Sequence, residues 1–234
     1  MKLYFKIILV VFSISFAYIF LALSVDNKVY PEDEFEIKKL GLNDSCKNVI
    51  TLLDEIECIK TIQNKIFKVA KNDQCHKGLS SEPKDLILRG VGCCVEFSRF
   101  IEKTLNYYNF ETRHVFLIEP YKGFSILNFL PLGQQSHAGT EVLTSKGWMS
   151  VDSKHQFILA KVINDEIYVY SYLDLKNKKE AIKIVEGIGL YKKNLDIIYG
   201  LYSRHGYFYG LNLPGPEINL KEFIFNLIDY KKFI

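Results

Sequence analysis

The feature that most constrains the fold is a change of hydrophobic period after Cys94. Phe97, Phe100, Ile101, Thr104, Leu105 and Tyr108 recur at steps of three and four. That spacing puts them on one face of a helix that starts near Cys94 and ends at Asn109. The pattern then switches: residues 112–119 are rich in β-branched and aromatic side chains and read as a strand. Two further strands, residues 138–144 and 148–152, flank Ser145-Lys146-Gly147, which reads as a hairpin turn. A helix laid on antiparallel strands makes this an α+β chain.

The flanking segments fit one domain over residues 46–234. Val49, Leu52, Leu53, Ile56, Ile59, Ile66 and Val69 keep helical spacing over residues 47–70, as one long helix or two shorter ones. Residues 71–83 and 120–136 hold the turn formers and read as loops. Residues 166–173 read as a strand after a turn at Asn164-Asp165, and residues 176–193 as lysine-rich and partly helical. The tyrosine-rich stretch 199–209 reads as a half-buried strand or a cleft wall, and residues 220–230 as a final helix.

The N-terminus is of another kind. Lys2 and Lys6 precede an apolar run over residues 7–25, closed by Asp26. The run is close to the ~20 residues of a membrane span and longer than the ~7–15 of a signal core. A signal anchor over residues 1–25 is therefore expected, N-terminus inside, ahead of a cleaved signal that would use Ala22 and Ser24. Residues 26–45 would be a polar linker to an extracytoplasmic domain. The net charge of +3 comes from interleaved lysines and acids, without the basic stripe of a nucleic-acid binder.

Five cysteines suit export, and their odd number suggests paired cysteines plus one free thiol. If Cys94 is free, Cys46, Cys58, Cys75 and Cys93 allow two bridges or stay as buried thiols. Read as lying in one helical stretch, Cys46 and Cys58 would be ~18 Å apart and should not pair with each other. Cys75-His76 and Cys93-Cys94 lack the separated pairs of a zinc site. Gly187-Ile188-Gly189 lacks the third glycine of a phosphate loop. No metal or cofactor is expected.

A cysteine nucleophile gains reactivity from a helix N-terminus and a nearby histidine. Cys94 has the first. His137 begins one hairpin strand and Asp152 ends the other, so antiparallel pairing brings them close, with the aspartate able to orient the imidazole. His114 and His155 are the rival bases; the first lies in mid-strand beside Arg113, the second beyond the aspartate. Gln134 and Gln135 are candidates for the oxyanion hole. Glu96 and Arg113 read as a structural pair behind the site, and Trp148 as core packing or a substrate platform.

Four segments carry a family resemblance. Gly92-Cys93-Cys94-Val95-Glu96-Phe97-Ser98 resembles the nucleophile segment of transglutaminase-like proteins. Asn109-Phe110-Glu111-Thr112-Arg113-His114-Val115 resembles that family's turn and arginine-bearing strand. His137-Ala138-Gly139-Thr140-Glu141-Val142 and Gly147-Trp148-Met149-Ser150-Val151-Asp152 resemble its histidine and aspartate strands. The likeness covers residues 83–155. It implies a papain-like core and acyl transfer through a thioester on peptide or protein amides, with Cys94, His137 and Asp152 as the triad. Hydrolysis is favoured over amine transfer. The rival from another class is an inactive relative, a binding or scaffold module holding a peptide in its cleft. The sequence departs from the family at Gly139, where an aromatic is usual, and at Ser153, where proline is usual.

Overall fold

The computed structural model describes residues 2–22, 24–42, 45–47, 49–75, 79–119, 135–177, 179–193, 195–212 and 215–229. The expected loop over residues 120–136, with Gln134, lies almost wholly outside them. Helix α1 covers Lys2–Ala22, α2 Pro31–Lys39 and α3 Leu52–Val69. Strand β1 (Lys71–Asn72) pairs in parallel with β2 (Val91–Gly92), and α4 (Pro83–Arg89) lies between them. Then come α5 (Cys94–Tyr107) and strands β3 (Thr112–Ile118), β4 (Ser136–Thr144) and β5 (Gly147–Asp152). Strands β6 (Ala160–Ile163) and β7 (Glu166–Val169) form a separate hairpin. Short helices α6 (Asp174–Asn177) and α7 (Lys179–Ile184) and a 3-10 turn at Gly189–Lys192 follow. Strands β8 (Asp196–Tyr199), β9 (Leu201–Ser203) and β10 (Glu217–Ile218) precede α8 (Leu220–Asp229).

The main sheet runs β5-β4-β3-β8, and every neighbouring pair is antiparallel. Against it, Phe97, Phe100, Ile101 and Leu105 of α5 meet Ile59, Ile62 and Ile66 of α3 and Val142, Met149 and Val151 of the sheet. Phe67 stacks on Phe97 at 5.1 Å. The left-handed turn that ends α5 falls on Asn109, at φ 64°, a conformation asparagine tolerates better than most residues. Helix α3 starts only at Leu52, where Thr51 and Asp54 exchange hydrogen bonds between side chain and backbone.

The polar face of α5 is also buried, because the N-terminal segment wraps over it. Lys103 pairs with Asp33 of α2 at 2.6 Å and with Glu82 at 2.8 Å. Arg99 reaches Glu82 at 3.2 Å and donates to the Asp26 carbonyl at 2.6 Å. The stretch expected to be a linker is therefore packed, partly helical structure.

The described residues form a mixed α+β globular fold, with no barrel or solenoid closure among them, and it corrects two expectations. No helix among the described residues is long and apolar enough to cross a membrane. The N-terminal membrane segment, the membrane as partner of residues 7–25 and the single-pass localisation are corrected accordingly. The second correction is a disulfide: Cys46 and Cys58 are bonded, with Cα atoms 5.0 Å apart. Cys46 lies in the turn before α3, not on it, so helical rise never separates the two.

Candidate functional site

Helix α5 and the β4–β5 hairpin bring together the three residues singled out from the sequence. Cys94 is the first residue of α5, and its thiol is free. In the hairpin register Gly139 faces Asp152, which sets His137 near the end of β5. His137 Nε2 lies 2.9 Å from Asp152 Oδ2, and the ring also hydrogen-bonds Cys94. His137 and Asp152 are almost fully buried, while Cys94 is partly exposed.

Asp152 is held on all sides. Its Oδ1 accepts from the Lys154 N–H at 2.7 Å and from the His155 N–H, and its Oδ2 accepts from the Tyr191 hydroxyl. Its carbonyl accepts from Gln63 of α3 at 2.7 Å. Burial alone would raise this carboxyl, but His137 and the hydrogen bonds hold it below the usual carboxylate range. Burial works against a charged His137 as well, yet the Asp152 carboxylate and the Cys94 contact push its pKa up to about 10.

The other sequence candidates lie elsewhere. His114 is buried behind α5, stacked on Tyr202 at 3.9 Å. The His155 ring stacks on Phe157, and only its backbone touches Asp152. Gln135 accepts from Lys193 at 2.7 Å. Glu96 and Arg113 are not a pair. Glu96 accepts from the Cys93 N–H and faces Arg89, whereas Arg113 bonds Glu141 at 2.7 Å. The Arg113 guanidinium also lies between the Trp148 and Tyr199 rings, 4.1 Å from each.

Two tyrosines that the sequence did not single out complete the surroundings. Tyr191 binds Asp152, and the Tyr172 ring lies so close to Gly139 that a Cβ there would overlap its hydroxyl end. Glycine thus stands at this position because Tyr172 fills the space a side chain would need. Gly139→Ala is expected to destabilise the fold by about 1–3 kcal/mol, read as a lower urea midpoint. An unchanged midpoint would mean that Tyr172 swings aside freely.

Next to the thiol lies a disulfide. Cys75 and Cys93 are bonded, and the sulfurs of Cys75, Cys93 and Cys94 all lie within 4.8 Å of one another. With two of these sulfurs tied together, the group offers a metal ion only one thiolate. Of the two best-formed cavities among the described residues, the smaller is about 270 Å³ and is lined by Leu117, Tyr172, Tyr191, Lys192 and Ile197 among others. The larger is about 980 Å³ and lies between the Ser24–Lys28 segment, the start of α8 and the Arg113–Trp148 pair. Neither is lined by Cys94 or His137. Scans against protein-family models, curated proteins and solved structures find no match for the chain.

These findings correct the acyl-transfer reading. A thioester-forming enzyme needs an isolated thiolate facing room for a carbonyl. Four of the five cysteines are in disulfides, and the reactive centre nearest to Cys94 is the Cys75–Cys93 bridge rather than a carbonyl site. The expected hydrolase or acyltransferase activity, and the papain-like core named with it, are set aside on that ground.

Proposed function

We propose that the chain is a non-catalytic binding module that resembles transglutaminase-like proteins over residues 83–155 and holds a peptide in its large cavity. In this reading Cys94, His137 and Asp152 are a hydrogen-bonded fastening between α5 and the β4–β5 hairpin. The observation that carries the proposal is the cavity of about 980 Å³, at the upper end of the ~300–1,000 Å³ usual for ligand sites. Its wall sets Asp26 and Glu111 with Lys28, Arg113 and Lys221 around the indole of Trp148. Charges of both signs around an aromatic plate suit a polar peptide, whose backbone and side chains offer donors and acceptors together.

Trp148 is the only tryptophan in the chain, so its emission reports on the cavity directly. Titration with pools of short peptides carrying both charge signs is expected to give a saturable change in emission, with the peptides recovered intact. Arg113→Gln should weaken binding at least ~10-fold, a loss of about 1.4 kcal/mol, whereas Cys94→Ser should leave it unchanged. Emission unmoved by every pool, or peptides recovered cleaved, would overturn the proposal.

A further inference from the structure

Apart from the cavity, and independent of it, lies a cluster whose chemistry the binding reading does not use: one free thiol, one disulfide and one histidine–aspartate pair. We propose that Cys75, Cys93 and Cys94 form an intramolecular thiol–disulfide exchange site, in which Cys94 attacks the bridge and His137 carries the proton. The three sulfurs lie within 4.8 Å of one another, and Cys94 is hydrogen-bonded to an imidazole that Asp152 holds in place. Exchange needs only a thiolate and a disulfide within reach. A histidine fixed by a carboxylate is the usual base for making the thiolate. Cys94 also stands at the positive end of a helix, which favours an anion there.

The step balances without any oxidant. With His137 held as imidazolium, Cys94 attacks the Cys75 sulfur as a thiolate. The Cys75–Cys94 bond forms as the Cys75–Cys93 bond breaks. Cys93 leaves as a thiolate and takes up the proton held by His137. One disulfide, one unbonded sulfur and one shared proton stand on each side of the reaction.

Attack falls on Cys75 rather than Cys93 for a geometric reason. Cys93 and Cys94 are joined by a trans peptide, which fixes their Cα atoms about 3.8 Å apart. Disulfides span ~4.4–6.8 Å between Cα atoms, so a bridge between these neighbours would be strained. Cys75 is instead exposed and lies outside any helix or strand, whereas Cys93 is buried at the start of α5. The two states differ in what His137 touches. With Cys75–Cys93 bonded it holds the Cys94 thiol; with Cys75–Cys94 bonded it loses that partner, and a buried thiol appears at Cys93. The exchange therefore couples the tethering of Cys75 to the Cys94–His137–Asp152 chain.

The test uses the full chain purified without reductant, incubated at neutral and mildly alkaline pH and quenched in acid to freeze exchange. Peptic digestion and fragmentation between residues 93 and 94 then locate the bridge and the free thiol. Both Cys75–Cys93 and Cys75–Cys94 linkages are expected, with the free thiol shared between Cys93 and Cys94. His137→Gln should slow the approach to that mixture at least ~10-fold, within the range of a lost proton shuttle. Cys93→Ser supplies a second readout: treated with glutathione disulfide as the oxidant, its Cys75 and Cys94 thiols should close a Cys75–Cys94 bridge, with two glutathione thiols released. A single Cys75–Cys93 linkage at every pH, with the free thiol on Cys94 alone, would overturn the proposal. So would a Cys93→Ser protein that leaves Cys75 and Cys94 unbonded.

Discussion

Arg99→Met is expected to destabilise the protein by about 3–5 kcal/mol, the range for removing one partner of a buried ion network. Arg99 is 1% exposed although it is the largest of the fully buried side chains. Its guanidinium bonds Glu82, the Asp26 carbonyl at 2.6 Å and Asn27 at 2.9 Å, and lies 3.5 Å from Glu102. Methionine keeps much of the volume but leaves Glu102 buried against Tyr202 without its cation. Burial already raises the Glu102 pKa despite Arg99, and burial together with Glu102 pushes Glu222 to about 8. Without the arginine these carboxyls would hold protons still more tightly. The destabilisation should thus be greatest at neutral to alkaline pH and shrink as acid neutralises Glu102. Urea unfolding of both proteins across pH measures this. A loss below about 1 kcal/mol, or one that does not vary with pH, would show that the guanidinium is not what holds the N-terminal segment on α5.

How much of this was legible in the sequence depends on the range of the interaction involved. Helix α5 and strands β3 to β5 were readable because their periods and turn residues are local, and the His137–Asp152 contact followed from the hairpin register alone. Helix α2 was not readable. Its segment, PEDEFEIKK, looks like a linker because it buries Asp33 and Glu36 beside Ile37, and the cation that takes up Asp33 is Lys103, far along the chain. The Cys46–Cys58 bridge hides behind a few residues of helix boundary, because Cys46 lies in the turn before α3 and the ~18 Å of helical rise never arises. The surroundings of Cys94 depend on contacts no local pattern carries. Cys75 comes from a loop and Tyr191 from a lysine-rich stretch without recognisable period. A poised cysteine could be read from its helix start, but not the disulfide packed beside it.

Replacing His114 by phenylalanine is expected to flatten the acid side of the stability profile. His114 is fully buried, and burial, then Arg99 and His137, bring its pKa down to about 3. In the unfolded chain it should titrate near the usual ~6.5. Between those values the unfolded state binds a proton that the folded state refuses. The histidine thus contributes stability that is present above about pH 6.5 and lost progressively as pH falls toward 3, on the order of 5 kcal/mol in all. Phenylalanine keeps the stack on Tyr202 and removes an Nε2 that has no hydrogen-bond partner, at the cost of the 3.3 Å contact with Ser98. Neutral-pH stability should therefore change by no more than about 1 kcal/mol. Other groups act elsewhere or in the opposite sense. His137, raised to about 10, contributes stability that is lost as pH rises from 6.5. Glu222, raised to about 8, favours the fold as pH falls below that value. Asp152, lowered, acts only below the ordinary carboxylate range. Subtracting the variant's urea profile from that of the wild type isolates His114. A difference that grows from about pH 6.5 downward identifies it as the main acid-sensitive group of the core, and parallel profiles would assign the acid loss to the carboxylates instead.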